Sequence, residues 1–215
     1  MTTPDKPGFL KRRYYDGDVV EEEGVKIDTK LFTCETAKGL VAGSVTSVVL
    51  AFAEPASIVW SIYEDFNLWS NDSEHFYSKS FGDCEPGETV YLEERAQSQG
   101  GATEREWYEV IRVLPGHLFV LEQPSVADGC PSPGLPGLGG TSPGFHVFGV
   151  MEHGGESLLF ATMEHASYAA FDHNMTDEDA LTPWRELLPG WSEKWMEGFI
   201  PVLRKLISES DRVAS

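Results

Sequence analysis

A series of short β-rich segments separated by turn residues constrains this sequence most. Six candidate strands lie at 76–83, 89–97, 103–114, 117–123, 145–152 and 157–168. The breaks at 85–88, 99–101 and 115–116 are short and rich in glycine or proline. Such tight connections favour hairpins between neighbouring strands. The sequence therefore predicts an antiparallel sheet.

A long apolar stripe near the C-terminus predicts a helix large enough to cover that sheet. Its positions recur at helical spacing: Trp191, Trp195, Phe199, Val202, Leu203, Leu206 and Ile207. Upstream, a β-rich segment at 44–52 precedes Pro55, which suits the start of an amphipathic helix. Since a sheet with one apolar face must be covered, we predict an α+β, helix-grip fold. A curved antiparallel sheet wraps around the long C-terminal helix and leaves a cavity beneath it.

Local signals predict where the C-terminal helices begin and bend. Residues 176–179 resemble a capping box, and the Thr-Pro pair at 182–183 marks a second helix start. The Pro-Gly pair at 189–190 predicts an interruption. Pro201 predicts a kink near Gly198, because proline removes a backbone N–H and crowds the preceding turn.

Composition divides the chain into three parts. Residues 1–43 are rich in acidic residues and poor in regularly spaced apolar ones, so we expect an extension that wraps or stays mobile and contains one or two short strands. The helix-grip domain follows at 44–208, and 209–215 form a tail. Within the domain, the segment 124–144 holds five prolines and six glycines. A long segment of this kind between strands is typical of a binding loop or lid.

The charge of the chain excludes two classes of partner. Asp and Glu number 35 against 16 Lys and Arg, which gives a formal net charge of -19. Nucleic acids and anionic membrane surfaces are bound by clustered Lys and Arg, so we expect neither as a partner. An aromatic content of 12% also excludes a disordered acidic tail.

Cysteine usage and hydropathy favour a cytoplasmic protein. Cys34, Cys84 and Cys130 are an odd number without metal-type spacing, so a disulfide framework is not expected and a reducing compartment fits. The longest apolar run, at 48–53, is too short to span a membrane, and residues 1–15 lack the apolar stretch of a secretory signal. We expect a cytoplasmic monomer or homodimer without membrane insertion.

Three segments together resemble a known family. Within 48–69, an apolar strand ends at a proline that begins a helix with a Val-Trp pair, followed by an acidic-aromatic-x-x-Trp segment. These features fall at Pro55, Val59, Trp60, Asp65, Phe66 and Trp69. Residues 144–148 with the glycine pair at 154–155 resemble the family's penultimate hairpin, and the C-terminal stripe resembles its closing helix. From about 44 to 208, the chain resembles the START/Bet v 1-like superfamily (SRPBCC), including its polyketide cyclase/dehydrase-like group.

The resemblance implies a hydrophobic ligand cavity between the sheet and the long helix. Some members of that superfamily carry lipids or sterols, and others catalyse cyclisation, dehydration or related condensations on aromatic and polyketide substrates. The superfamily shares no catalytic motif, so the resemblance assigns no catalytic residue in this chain.

Two histidines are the first candidates for chemistry. Pairing the last two strands about their turn places His146 near Met163, so His146 and His165 fall close together. Histidine exchanges protons near neutral pH, which makes both candidate acid/base groups. If His146 faces the cavity, strand alternation also carries Glu152 inward near its edge as a candidate carboxylate. The alternative is that both histidines are ordinary hydrogen-bonded strand residues.

The other candidates lie on the middle strands and the helices. Inside a cavity, Glu93 and Arg95 would orient a carbonyl or phenol, with Arg95 as a catalytic candidate. On the outer face they would form an ordinary cross-strand ion pair. Aromatic walls suit a flat apolar ligand, and the candidates for them are Tyr63, Trp69, Tyr77, Trp107, Tyr108, Phe148, Trp191, Trp195 and Phe199. The six histidines show no zinc-enzyme spacing, so we expect no metal and no cofactor.

Three functional hypotheses follow from these observations. The first is an enzyme that binds a hydrophobic, aromatic or polyketide-like molecule and catalyses acid/base cyclisation, dehydration, hydration or aldol-type chemistry. The second is a non-catalytic carrier or sensor of a lipid-like or sterol-like ligand. The third is a protein-interaction module, which the acidic segment 1–43 motivates.

Overall fold

A nine-stranded antiparallel sheet forms the body of the protein. The computed structural model describes residues 12–36, 39–69, 75–94, 105–123, 144–170 and 175–214. The strands are β1 (Arg12–Glu22), β2 (Val25–Thr36), β3 (Gly39–Phe52), β4 (His75–Tyr77), β5 (Thr89–Glu94), β6 (Arg105–Leu114), β7 (Leu118–Gln123), β8 (Gly144–His153) and β9 (Glu156–Ala170). Their order across the sheet is β1-β2-β3-β9-β8-β7-β6-β5-β4. The predicted antiparallel sheet is confirmed.

Helices from two parts of the chain cover one face of this sheet. They are α1 (Ala56–Tyr63), α2 (Phe66–Trp69), α3 (Asp177–Glu193), a π-helical stretch (Lys194–Phe199) and α4 (Ile200–Ala214), with a short 3-10 helix at Phe81–Asp83. The last three helical stretches run without a break from Asp177 to Ala214. The α+β, helix-grip arrangement predicted from the sequence is therefore confirmed. Within the described part of the chain, no helix has the length and apolar character needed to cross a membrane.

The N-terminal region contributes two full strands to the same sheet. β1 and β2 pair from Arg12 opposite Cys34 to Glu22 opposite Val25, with a register shift between Asp16 and Val19. β2 pairs with β3 from Val25 to Thr36. The sequence predicts only one or two short strands, in an extension that ends at residue 43. Ser44 instead lies inside β3. Polar contacts also fix this hairpin to the C-terminal helix, since the Ser192 hydroxyl donates to the Asp18 carboxylate at 2.7 Å.

Two apolar clusters pack between the sheet and the helices. The larger cluster joins α1, α2, the π-helical stretch and α4 to the central strands, and it is rich in aromatic residues. The smaller one packs α3 onto β2 and β3 through Leu31, Leu40, Ala42, Ala180, Leu181, Trp184 and Leu188. Both clusters use alternate residues of the strands, as expected for a sheet covered on one face.

Helix α3 starts earlier than the Thr-Pro pair at 182–183 suggested, and it runs through the predicted interruption. Thr176 caps the helix by accepting a hydrogen bond from the Asp179 N–H at 3.2 Å, as the capping-box pattern predicted. Pro183 and Pro189 both lie inside the helix. Each proline removes one helical hydrogen bond, but buried Trp184 and Leu188 hold the helix against the sheet, and such tertiary packing overrides local propensity.

The irregularity expected near Gly198 takes the form of a π-helical stretch. The Ile200 N–H donates to the carbonyl of Trp195, five residues earlier. Pro201 has no N–H to offer the preceding turn, so the change of hydrogen-bond spacing falls directly before it. π-helical turns of this kind occur frequently at functional sites.

The strand predicted at 76–83 is much shorter in the structure. β4 ends at Tyr77, and the 3-10 helix follows at Phe81–Asp83, where Phe81 is fully buried. By contrast, the predicted pairing of the last hairpin is confirmed, because His146 lies opposite Met163 and Glu152 lies opposite Ser157. This pairing fixes where the candidate histidines lie.

Candidate functional site

His146 on β8 and His165 on β9 lie side by side on the helix-covered face of the sheet. Their ring centroids are 5.1 Å apart, with the rings tilted by 67°. Since His146 pairs with Met163, His165 is its diagonal neighbour two residues along the adjacent strand. The structure thus brings together the two residues that the sequence put first as acid/base candidates.

His146 lies deep in the protein among rings. It is 2% exposed, and its Nδ1 is 2.9 Å from the Tyr77 hydroxyl. The Tyr108 ring lies 4.7 Å away at a tilt of 35°, and Phe148 approaches edge-on at 6.0 Å. The other ring nitrogen, Nε2, is buried and has no hydrogen-bond partner among the described residues. A buried polar atom without a partner costs about 1–3 kcal/mol, so this nitrogen needs an explanation.

Burial lowers the pKa of His146 well below its ordinary value, and the neighbouring His165 lowers it further. Desolvation disfavours the charged imidazolium, and a second ionisable ring nearby adds repulsion between like charges. At neutral pH His146 is therefore an uncharged imidazole, with a hydrogen on one nitrogen and a lone pair on the other.

His165 lies at a more accessible position, against the C-terminal helix. Its ring stacks on Trp191 of α3 with centroids 5.0 Å apart and planes 26° apart, and both residues keep part of their surface exposed. Glycine at position 43 holds β3 close behind it, because a Cβ there would lie 2.4 Å from the His165 carbonyl oxygen. The two histidines therefore differ in access: His146 is enclosed, and His165 lies at the partly exposed side of the pair.

A short clamp from helix α2 holds Tyr77 against His146. The Asn67 side-chain amide donates to the Tyr77 carbonyl oxygen at 2.8 Å, and the Tyr77 N–H donates to the Asn67 carbonyl oxygen at 2.9 Å. β4 has only three residues, so these two bonds replace much of what a longer strand would supply. Asn67 and its role were not predicted, because an isolated Asn in a helical segment carries no sequence signal for a contact ten residues away.

The remaining predicted residues fall into three groups. Tyr108 and Phe148 contact His146 directly. Trp69, Tyr63, Trp195 and Phe199 lie buried in the aromatic part of the larger cluster, where Trp69 stacks on Tyr63 at 5.3 Å and lies 6.0 Å from Trp195. The whole of Arg95 and the side chains of Glu93 and Trp107 lie outside the described residues, as does the segment 124–143. Ligand contacts by all of these residues stay predictions.

Glu152 is exposed and lies away from the histidines. It is six residues along β8 from His146, which corresponds to roughly 20 Å in a strand. It lines an open groove of about 710 Å³ together with Trp60, Met151 and the turn at Gly116. Alternation does place Glu152 on the same face as Val150, but Glu152 lies in this open groove beside the start of α1 and stays exposed. The structure therefore does not bring this carboxylate to the imidazole pair.

A polar strip on β2 and β3 borders the histidines and was not predicted from the sequence. Ser44 lies opposite His165 in the strand register, and Thr46 lies opposite Met163. The Thr46 and Thr29 hydroxyls are 3.0 Å apart, and both residues are buried. Hydroxyl side chains at alternate strand positions could have indicated this strip. They were not distinctive, because threonine is also common in ordinary strands.

The described residues contain no group of three or more His, Cys, Asp or Glu side chains placed to hold a metal ion. Phenol, phenyl and imidazole rings surround His146 together with its strand partners Leu121 and Met163. Such an arrangement suits a flat ligand with few charges and one or two polar atoms.

Burial of neutral His146 should make the protein less stable in mild acid. Below about pH 6.5 the unfolded chain binds a proton at this residue that the folded chain does not bind, so the free energy of unfolding rises with pH by up to about 1.4 kcal/mol per pH unit. This slope begins near the ordinary pKa of 6.5 and continues down to the lowered pKa of the folded state. Urea unfolding of wild type and His146→Gln at several pH values measures it.

The difference in pH slope between wild type and His146→Gln separates the contribution of His146 from that of the many carboxylates that also titrate in acid. His153→Gln, at the exposed end of the same strand, is the matched control and should follow wild type. Equal pH slopes for wild type and His146→Gln would show that His146 is accessible to protons in the folded state.

Comparison with known proteins gives likenesses of fold. No family model matches the chain, and no curated protein matches it. Among solved structures, a protein of unknown function from Staphylococcus aureus, SA2116, is 8% identical with a TM-score of 0.49, over 79% of this chain and 98% of that one. A norcoclaurine synthase point mutant from Thalictrum flavum is 12% identical with a TM-score of 0.46, over 80% and 98% of the two chains. Ara h 8.0201 is 8% identical with a TM-score of 0.45, over 77% and 96%.

The likeness lies in the arrangement of helices and strands. The chemistry of the site rests on this chain's own residues.

Proposed function

We propose that this protein binds a mainly apolar, aromatic or polyketide-like small molecule against His146 and His165 and catalyses proton transfer on it. The neighbouring histidines carry the proposal, and above all the buried Nε2 of His146, which has no hydrogen-bond partner among the described residues. Buried polar atoms are nearly always satisfied, so an unsatisfied imidazole nitrogen beside a second imidazole supports a place where a ligand atom binds.

The surroundings of the pair support the ligand class. Trp191 and Tyr108 present ring faces to the two imidazoles, and the rings of Tyr77 and Phe148 also lie against His146. A flat ring system can stack on such surfaces. The net charge of -19 opposes a strongly anionic ligand, so a ligand with a neutral carbonyl or a phenol fits best.

Proton transfer next to a carbonyl is the chemistry that the pair can perform. His165, at the accessible side, takes a proton from the carbon beside the carbonyl group. The electron pair of the C–H bond forms the enolate, whose negative charge lies on the oxygen, and that oxygen faces His146. Aldol-type cyclisation and loss of water from a β-hydroxy ketone both proceed through such an enolate. Tyr108, whose ring lies 4.7 Å from that of His146, or Arg95 would stabilise the negative charge on this oxygen.

Turnover of a panel of aryl ketones, β-diketones and phenols by wild type and single variants tests this function. His146→Ala and His165→Ala should each lower kcat about 100-fold, because positioned acid/base groups contribute about 10²–10⁴-fold. His153→Ala removes an exposed histidine from the same strand as His146 and should leave the rate unchanged. Circular dichroism and thermal unfolding verify that each variant is folded.

Three outcomes are decisive. Equal rates in wild type and both histidine variants would remove the pair from the mechanism. An unmodified ligand seen by native mass spectrometry, together with no turnover, would make the protein a carrier. Loss of that ligand in His146→Ala would then still place its binding site at the histidines.

A further inference from the structure

The bond between Tyr77 and His146 bears on which imidazole nitrogen carries the hydrogen. Their atoms, Tyr77 Oη and His146 Nδ1, are 2.9 Å apart and buried. Either the phenol donates to a bare Nδ1, which puts the hydrogen on Nε2, or an Nδ1–H donates to the phenol oxygen, which leaves Nε2 as a lone pair. The first arrangement offers the ligand a hydrogen-bond donor at Nε2, and the second offers it an acceptor.

Acid strength decides between them. A phenol, with an ordinary pKa near 10, is a much stronger acid than the N–H of a neutral imidazole. The lone pair of imidazole is in turn a stronger base than a phenol oxygen. A hydrogen bond is strongest when the better donor meets the better acceptor, and in a dry site this preference is not diluted by water. The O–H···N arrangement is therefore the more stable one.

We infer that Tyr77 is a positioning residue that donates to Nδ1 of His146, so that Nε2–H is presented as a hydrogen-bond donor to a carbonyl or phenolate oxygen of the ligand. The inference rests on the proposed function for the identity of the ligand, but the tautomer itself is a property of the protein without ligand. With its hydrogen on Nε2, His146 favours ligands that place an acceptor oxygen beside this nitrogen over ligands that present only a donor there.

The structure holds this donor in place from both ends. Asn67 fixes the backbone of Tyr77 through two hydrogen bonds, and Phe66 packs edge-on against the Tyr77 ring at 4.7 Å. On the other side, Tyr108 and Phe148 restrict the His146 ring. A fixed donor aimed at a position where negative charge develops needs no reorganisation during the reaction.

The tautomer divides the work between the two histidines. His146, neutral and with its hydrogen on Nε2, stabilises the oxygen but cannot accept a proton there. His165 is then the group that moves the proton. The two imidazoles are thus expected to be unequal in mechanism, although they are neighbours in space.

Nuclear magnetic resonance of ligand-free protein labelled with ¹⁵N-histidine tests the inference. The ¹⁵N shifts and the couplings to the ring protons identify the protonated nitrogen, and His146→Gln assigns the signals. Wild type should show His146 with hydrogen on Nε2. Tyr77→Phe should lose this preference and show Nδ1–H or a mixture, whereas Tyr14→Phe, which alters a tyrosine that is 58% exposed, should match wild type.

A hydrogen on Nδ1 in wild type would overturn the inference, and an unchanged tautomer in a folded Tyr77→Phe would remove Tyr77 as its cause. If that variant does not fold, the wild-type protein still decides the direction of the bond. A Tyr77 hydroxyl proton coupled to Nδ1 across the hydrogen bond supports the inference, and a one-bond coupling of a proton to Nδ1 contradicts it. Because no ligand is present, these results are independent of whether the proposed activity is found.

Discussion

Replacing Trp69 with alanine is expected to lower the free energy of unfolding by about 4 kcal/mol. The side chain is fully buried, stacks on Tyr63 and meets Phe66 and Phe199 edge-on at 4.7 and 5.5 Å. Its indole N–H also donates to the Tyr63 carbonyl at 3.0 Å, so truncation leaves both a cavity and an unpaired acceptor. Equilibrium unfolding in urea measures the loss.

Trp191→Ala is the matched comparison, because Trp191 and Trp69 are both tryptophans that the sequence suggested as ligand contacts. Trp191 is partly exposed and stacks on His165, so the stability loss should be smaller, about 1–2 kcal/mol. Ligand affinity should instead fall in this variant. If Trp69→Ala lost less stability than Trp191→Ala, the assignment of Trp69 to the packed core would be wrong, and a place in the ligand wall would be favoured.

The parts of the fold that depend on local periodicity could be predicted from the sequence. Turn residues and alternation were enough to place His146 opposite Met163, because a side-chain period of two and a known turn position leave one register. The stripe from Trp191 to Ile207 likewise predicted the closing helix. Both signals depend on residues close together in the chain.

Structure that depends on distant contacts could not be predicted in the same way. β2 shows alternation from Val25 to Leu31, but Thr29 is buried like its apolar neighbours and weakens the pattern. Helix α3 carries two internal prolines that argue against a continuous helix. In both elements, packing against β3 supplies the stability that local propensity does not.

The same distinction applies to the site. Alternation predicted that His146 and His165 are neighbours, but the contact of His146 with Tyr77 joins residues 69 positions apart, and no spacing rule predicts it. Strand alternation also predicted the face of the sheet on which Glu152 lies, but it did not predict that Glu152 is exposed. A strand pattern states on which side a residue lies, whereas exposure depends on how far the opposing helices reach.

Replacing Arg12 with alanine is expected to lower the free energy of unfolding by about 3 kcal/mol. Arg12 binds Glu164 through two parallel hydrogen bonds of 2.6 Å, and its guanidinium lies 4.5 Å from the centre of the Phe32 ring. The Glu164 side chain is 0% exposed, so its carboxylate loses its charged partner without gaining water. Urea unfolding of the variant measures the effect. Arg13→Ala removes a half-exposed guanidinium that pairs with Glu35 and Asp177, and it should cost less, about 1 kcal/mol.

The two halves of the Arg12–Glu164 pair should not be equivalent. Glu164→Leu leaves a guanidinium that is 31% exposed and can reach water, whereas Arg12→Ala leaves a fully buried carboxylate. We therefore expect Glu164→Leu to be the milder change, and Arg12→Met combined with Glu164→Leu to recover most of the loss, since replacing both charges of a buried pair is often neutral. Equal losses for the two single variants would show that water reaches Glu164 once Arg12 is gone. Glu164 directly precedes His165 in β9 and lies on the opposite face of the strand. If the double variant also changes the turnover that depends on His165, the outer ion pair fixes the strand beneath the site as well.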